Sequence, residues 1–230
     1  MPFTLDQILP WGRSFDEYVA IFGLTAADLD KRILGCGDGP ASFNSIMHTK
    51  GKAVVSVDQL YQFTKEEIGR RVQEAYPTIM EQLLANQAAY VWTTIASPQH
   101  LGHIRMAAMA DFLEDYDEGK ADGRYLPHDL PSLPFQDGAF DLALCSHLLF
   151  TYSEQLSASF HLQAVLEMCR VAKEVRIFPL LGMSGEPSEH VPTVCEALDR
   201  QGFRWAIEAV EYEFQRGGNK MLRALQGKPE

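Results

Sequence analysis

The chain has 230 residues, a formal net charge of −11, and 46% apolar against 22% charged residues, a composition that excludes a disordered polymer and suits a soluble globular protein. Its acidic balance, with no Lys/Arg run beyond pairs such as Lys31-Arg32 and Arg70-Arg71, argues against nucleic acid as a partner, because phosphate neutralisation supplies most of that affinity. Cys36, Cys145, Cys169 and Cys195 form no C-x-x-C pair, no apolar stretch has bilayer length, and the first residues lack a charged-then-apolar leader. Together these point to reduced thiols in a cytoplasmic protein of one domain, residues 1–230, with no membrane partner.

Residues 3–30 carry helical spacing. Phe15, Tyr18, Val19, Phe22 and Leu24 form an apolar stripe after Ser14, a predicted N-cap with Glu17 three residues on, so 1–30 is expected to be a helical cap. A first strand is expected at 32–34, a helix from about Pro40, and a second strand at 53–57. The stretch from there to Asp129 exceeds what one crossover helix needs, and is expected to be a helical insertion over about 64–118. Its helices are predicted at 64–89 and 99–116, with an acidic, glycine-containing loop at 115–122. A short strand is expected at 124–126, a fourth at 140–145, a helix near 154–172, a fifth strand at 174–181 and a helix over 190–201 ending at Gly202. Segments 205–214 and 220–226 flank Arg216-Gly217-Gly218-Asn219, a hairpin signal.

Chemistry concentrates at three places. Ile33-Leu34-Gly35-Cys36-Gly37-Asp38-Gly39-Pro40 is an apolar run emptying into alternating glycines, and the next apolar run, Ala53-Val54-Val55-Ser56-Val57, ends on Asp58. A strand, glycine turn, helix and strand ending in a carboxylate is how an open α/β sheet grips an adenosine-containing cofactor, the acid receiving the ribose hydroxyls. Position 40, where a dinucleotide site wants its third glycine, is proline. Residues 129–142 read Asp-Leu-Pro-Ser-Leu-Pro-Phe-Gln-Asp-Gly-Ala-Phe-Asp-Leu, and the fourth strand then empties into Cys145-Ser146-His147.

In these motifs, and in the order of its elements, the chain resembles the class I S-adenosylmethionine-dependent methyltransferases of the small-molecule type. The resemblance implies an α/β fold: a Rossmann-like doubly wound sheet, mostly parallel with an antiparallel last strand. It also implies S-adenosylmethionine as cofactor, S-adenosylhomocysteine as product, and a small-molecule acceptor. The glycine loop Gly35, Cys36, Gly37, Asp38 and Gly39 would lie against the cofactor, Asp58 would take the ribose, and Gln59 and Leu60 would cover one adenine face. Asp129 would accept from the adenine amino group, with Leu130 as an apolar wall. Cys145 and Ser146 would border the methionine end and the transferred methyl.

His147, next in line, is the candidate to touch substrate as a general base, or is a histidine that only bonds a neighbouring loop. The family usually carries an acid two positions before the first glycine, where this chain has Ile33. Asp38 is either its substitute or a surface turn residue. Arg13 and Tyr18 either reach over the cofactor or are surface and core residues of the cap. His100 and His103 have metal-pair spacing but no third ligand, and no metal is expected. Two rival readings remain: a binding protein or regulatory subunit without turnover, and a nicotinamide-dependent oxidoreductase, against which Pro40 and the closing hairpin count.

Overall fold

The computed structural model describes residues 10–227; the predicted cap residues 1–9 lie outside them. In chain order the elements are α1 (Phe15–Phe22), α2 (Ala26–Leu29), β1 (Ile33–Cys36), α3 (Phe43–Thr49), β2 (Val54–Val57), α4 (Lys65–Ala85), α5 (Pro98–Ala121), β3 (Tyr125–Leu126), β4 (Phe140–Ser146), α6 (Ala158–Val171), β5 (Ala172–Phe178), α7 (His190–Arg200), β6 (Arg204–Ala209) and β7 (Lys220–Leu225). The strands form one sheet in the order β3-β2-β1-β4-β5-β7-β6. Its first five strands run parallel, and β7 enters antiparallel between β5 and β6. The expected α/β sheet, mostly parallel with a reversed last strand, is therefore the one present.

Register follows from burial. All four residues of β1 are buried, as a parallel strand covered on both faces requires, and Ile33 sits level with Val54 on one side and Leu142 on the other. This alignment brings the ends of β1, β2 and β4 to one edge of the sheet. Ser14 caps α1 as expected, in a reciprocal capping box with Glu17.

Several boundaries differ from expectation, among them the end of β5 at Phe178, the start of α6 at Ala158 and the end of α4 at Ala85; three more bear on the site or have a visible cause. The helix after the glycine loop starts at Phe43, with Pro40 still in the loop. The acidic stretch after 115 stays helical to Ala121, because Asp115 accepts hydrogen bonds from Arg124 and Tyr125 and so ties the helix end to β3. β6 stops at Ala209 rather than continuing to Phe214. The chain leaves the sheet there and bonds to the insertion instead, Val91 N–H donating to the Phe214 carbonyl and Arg216 N–H to that of Ala89.

Under β5 lies a buried ionic cluster. Arg176 is 5% exposed and contacts Glu174 at 2.7 Å and Asp28 at 3.1 Å, while also donating to the Phe22 carbonyl at 2.9 Å. It ties α1 and α2 to the sheet. Without it Asp28 would keep Lys31 at 2.6 Å and Glu174 would keep Arg223 at 2.7 Å, so the loss is that of the Arg176 hydrogen bonds rather than of a sole counter-charge. Arg176→Met should therefore lower the unfolding free energy by about 1.5–3 kcal/mol in urea melts; no loss would contradict this role.

Candidate functional site

At the edge where β1, β2 and β4 end, a cavity of about 1210 Å³ opens, roofed by the N-terminal segment and by the insertion. Both α4 and α5 face it, through residues such as Glu74, Ile79, Leu83, Leu101 and Arg105. The insertion is thus a wall of the site.

The glycine loop is built around a buried carboxylate. Asp38 folds back over the end of β1, where a Cβ on Gly35 would fall 1.7 Å from Asp38 Oδ2, so only glycine leaves room at 35. The Asp38 carboxylate accepts from Tyr18 Oη (2.8 Å) on α1 and from Ser56 Oγ (2.6 Å) on β2. It is 7% exposed, and burial pushes its pKa up to about 6, against the two hydrogen bonds that favour its charged form. Asp38 is therefore neither a surface turn residue nor remote from the cavity, which it lines.

Asp58 closes the other side of the loop. Its carboxylate accepts from Gly39 N–H (2.8 Å) and from Leu60 N–H (2.7 Å), and burial raises its pKa too. The Tyr61 hydroxyl holds the Gly39 carbonyl at 2.8 Å. Gly12, in the N-terminal segment, passes directly over the loop, where a Cβ would lie 2.0 Å from the Pro40 carbonyl oxygen. The cap is laid across the glycine turn with no room for a side chain between them.

Gly37, Asp38, Gly39, Asp58, Gln59, Leu60, Asp129, Leu130, Ser146 and His147 are brought together on the cavity wall. Asp129 is exposed at the rim, where Gln59 Nε2 donates to it, while Leu130 is buried. Gly35, Cys36 and Cys145 lie behind the wall instead. The two cysteines are fully buried in the core, and burial raises both thiol pKa values, that of Cys145 to about 12. They are inert thiols at neutral pH.

His147 follows β4 with a positive φ of 53°, an uncommon conformation for a residue with a side chain. Its amide donates to the Phe178 carbonyl at 2.7 Å, its ring meets the Phe178 ring at 5.3 Å, and Nδ1 lies 2.8 Å from Ser146 Oγ. Burial, then the charges of Arg13 and Arg105, hold its pKa well below the usual histidine range. The imidazole is neutral at pH 7.

Sequence reasoning missed Arg105. It is 2% exposed, forms an ion pair with Glu17 at 2.8 Å and donates to the Gly12 carbonyl at 3.3 Å. Tyr212 Oη donates to the same Glu17 at 3.0 Å. The signal was an arginine inside the stripe Leu101, Arg105, Ala108, Met109 and Phe112, at helical spacing where a core residue belongs. Phe214 and Tyr90, stacked at 4.7 Å, also line the cavity and were not foreseen. Of the two histidines with metal-pair spacing, His100 uses Nδ1 to accept from Ala96 N–H near the start of α5.

Comparison with known proteins bears on this arrangement. No family model matches the chain. Uncharacterized protein MJ0045 of Methanocaldococcus jannaschii is 30% identical over 213 residues, 92% of this chain and 93% of that one. Among solved structures, mitomycin 7-O-methyltransferase MmcR superposes with a TM-score of 0.50 at 10% identity, over 93% of this chain and 54% of that one. Magnesium protoporphyrin IX methyltransferase from Synechocystis PCC 6803, with SAM bound, gives 0.49 at 14% identity, over 93% and 78%. At 10% identity the likeness to MmcR concerns the fold alone, that of the seven-stranded sheet described above.

Asp38 makes a measurable demand on stability. Its folded pKa of about 6 exceeds its ordinary 3.8, so the folded state holds this proton more tightly. The group favours folding below about pH 4, and that contribution is lost as pH rises through about 6. Asp38→Asn removes this dependence. Wild-type stability relative to the variant should fall by on the order of 2–3 kcal/mol between pH 4 and 7.5 in urea melts without ligand; a flat difference would contradict the assignment.

Proposed function

Since the chain belongs to the family of the uncharacterized Methanocaldococcus jannaschii protein and carries the class I methyltransferase fold, we propose that it transfers a methyl group from S-adenosylmethionine to a small-molecule acceptor. The observation that carries this reading is a pair of acids, buried Asp38 and half-buried Asp58, on either side of one glycine turn at the cavity wall. Isolated buried carboxylates are costly. Here each is oriented by hydrogen bonds that leave lone pairs over for a ligand, and burial keeps both ready for donors or a cation.

The residues fit the cofactor. Asp58 retains acceptor capacity for ribose hydroxyls, Asp129 at the rim suits an exocyclic amine, and Leu60 and Leu130 supply apolar walls for a base. Asp38 takes the place of the family's acid at position 33, facing the cationic amino-acid end. When bound, S-adenosylmethionine supplies an electrophilic methyl on a sulfonium, which an acceptor atom takes with its own electron pair while the carbon–sulfur pair stays on sulfur.

This chain's work is then positioning, exclusion of water and, for a hydroxyl acceptor, proton removal. His147 is placed for the last task. In the tautomer whose Nδ1–H donates to Ser146 Oγ, Nε2 would present its lone pair, and burial keeps the ring unprotonated at neutral pH. The cap over the glycine loop and the insertion opposite form the acceptor pocket.

Calorimetric titration with S-adenosylhomocysteine tests cofactor binding; no binding at millimolar ligand would refute the proposal. Asp58→Ala should weaken that binding by about 5- to 150-fold, or ~1–3 kcal/mol, by leaving ribose hydroxyls unpaired. Unchanged affinity would remove Asp58 from the site. Transfer of labelled methyl from S-adenosylmethionine into a small-molecule extract tests turnover. His147→Ala should reduce it by about 10²–10⁴-fold with S-adenosylhomocysteine affinity preserved.

A further inference from the structure

On the side of the cap and α5, the cavity wall carries two guanidiniums against one carboxylate, with unused donors. Arg13 and Arg105 both line it. Glu17 neutralises one of them through its 2.8 Å pair with Arg105, and the Tyr212 hydroxyl donates to the same carboxylate. Among the described residues Arg13 has no carboxylate partner, and it donates only to the Trp11 carbonyl at 3.1 Å. Nε of Arg13, Nε of Arg105 and Oγ1 of Thr151 are buried and without a hydrogen-bond partner, and all three side chains belong to this cavity.

Buried donors left unmade cost about 1–3 kcal/mol each, more when charged. Three around one cavity mark the place of an acceptor-rich ligand group. Burial and the neighbouring Arg105 lower the Arg13 pKa to about 10, outweighing the pull of Glu17, which the two guanidiniums share. His147 feels both arginines, so the cationic wall adjoins the end of β4.

From this wall we infer that the acceptor is a monoanion, a carboxylate on an apolar body, whose charge is received by Arg13 and Arg105 with Thr151. The inference rests on the proposed methyltransferase reading and names the substrate class of that same site. One negative charge is specified because Glu17 already balances one of the two guanidiniums, Arg71 and Glu74 of α4, which also line the cavity, cancel, and His147 is neutral. A dianionic phosphate would leave the wall overcompensated. The apolar body is indicated by the surfaces beyond the arginines, where Ile79, Leu83, Leu101, Tyr90, Phe214 and Met183 complete the enclosure. A volume of about 1210 Å³ exceeds the roughly 300–1,000 Å³ of a typical single-ligand pocket and leaves room for an acceptor beside a nucleoside. The carboxylate of the cofactor's own amino-acid tail has the same chemistry, and the experiment separates the two.

Calorimetry on protein saturated with S-adenosylhomocysteine would use 1-naphthoate, 3-phenylpropionate and octanoate, each beside its neutral primary amide. At least one carboxylate should bind at least 10-fold more tightly than its amide. Arg13→Met should abolish that preference while leaving S-adenosylhomocysteine affinity within about twofold. This variant leaves the Arg105–Glu17 pair balanced, so its thermal midpoint should match or exceed that of the wild type. Arg105→Lys, which keeps the charge beside Glu17, should reduce the preference in the same direction.

Equal or absent binding of acids and amides would overturn the inference. So would an Arg13→Met variant that loses S-adenosylhomocysteine 10-fold or more while binding 5′-methylthioadenosine, which lacks the tail, as before; the anion site would then belong to the cofactor. Should S-adenosylhomocysteine not bind the wild type at all, the methyltransferase reading fails separately. The same acid–amide comparison on ligand-free protein would then decide whether the cationic wall selects carboxylates.

Discussion

A single buried carboxylate organises this end of the molecule. Asp38 is reached by a hydroxyl from the cap, Tyr18, and by another from β2, Ser56, so three segments distant in sequence converge on two oxygen atoms. The missing side chain at Gly35 makes the fold-back possible, and Asp58 fixes the far side of the same turn through the Gly39 amide. An acid of this kind is destabilising in an otherwise apolar setting. Its burial is understandable where a cation completes the site, because the partner then arrives with the ligand.

Apart from Arg71 and Glu74 on α4, the charges lining the cavity fall into two groups. Asp38, Asp58 and Asp129 stand on the side of β1, β2 and β3, and Arg13 and Arg105 on the side of the cap and α5, with neutral His147 adjoining the arginines. A ligand with cationic and hydroxyl groups suits the first side and an anion the second. The insertion supplies both an arginine and most of the apolar enclosure, so the part of the chain least like an ordinary crossover shapes what the site can accept.

Much of this was legible from residues alone. Continuous apolar runs at β1, β2 and β4, a glycine-rich turn after the first and an acid after the second suffice to place the sheet edge, and Ser14 with Glu17 announces α1. Asp38 was ambiguous because an aspartate between two glycines is usually solvated; its burial depends on Tyr18 and Ser56, whose proximity is a tertiary fact. The helical spacing of α4 and α5 shows that each has an apolar face but not what that face covers. Arg105 was readable as an anomaly within such a face, yet its partner Glu17 lies on another element. The ends of α5 and β6 were misplaced for a related reason: Asp115 and Phe214 make contacts with distant segments, and those contacts override local preference.

Near pH 6 the Asp38 carboxyl is partly protonated, because burial raises its pKa to about 6, and a cationic ligand would favour its charged form. Calorimetric titration of S-adenosylmethionine at pH 6, repeated in buffers of different ionisation enthalpy, measures protons released on binding. The ligand should draw the carboxyl into its charged form and release a fraction of a proton per site that diminishes as pH rises above 6, with none from Asp38→Asn. Binding without proton release, or the same release from the variant, would contradict the account.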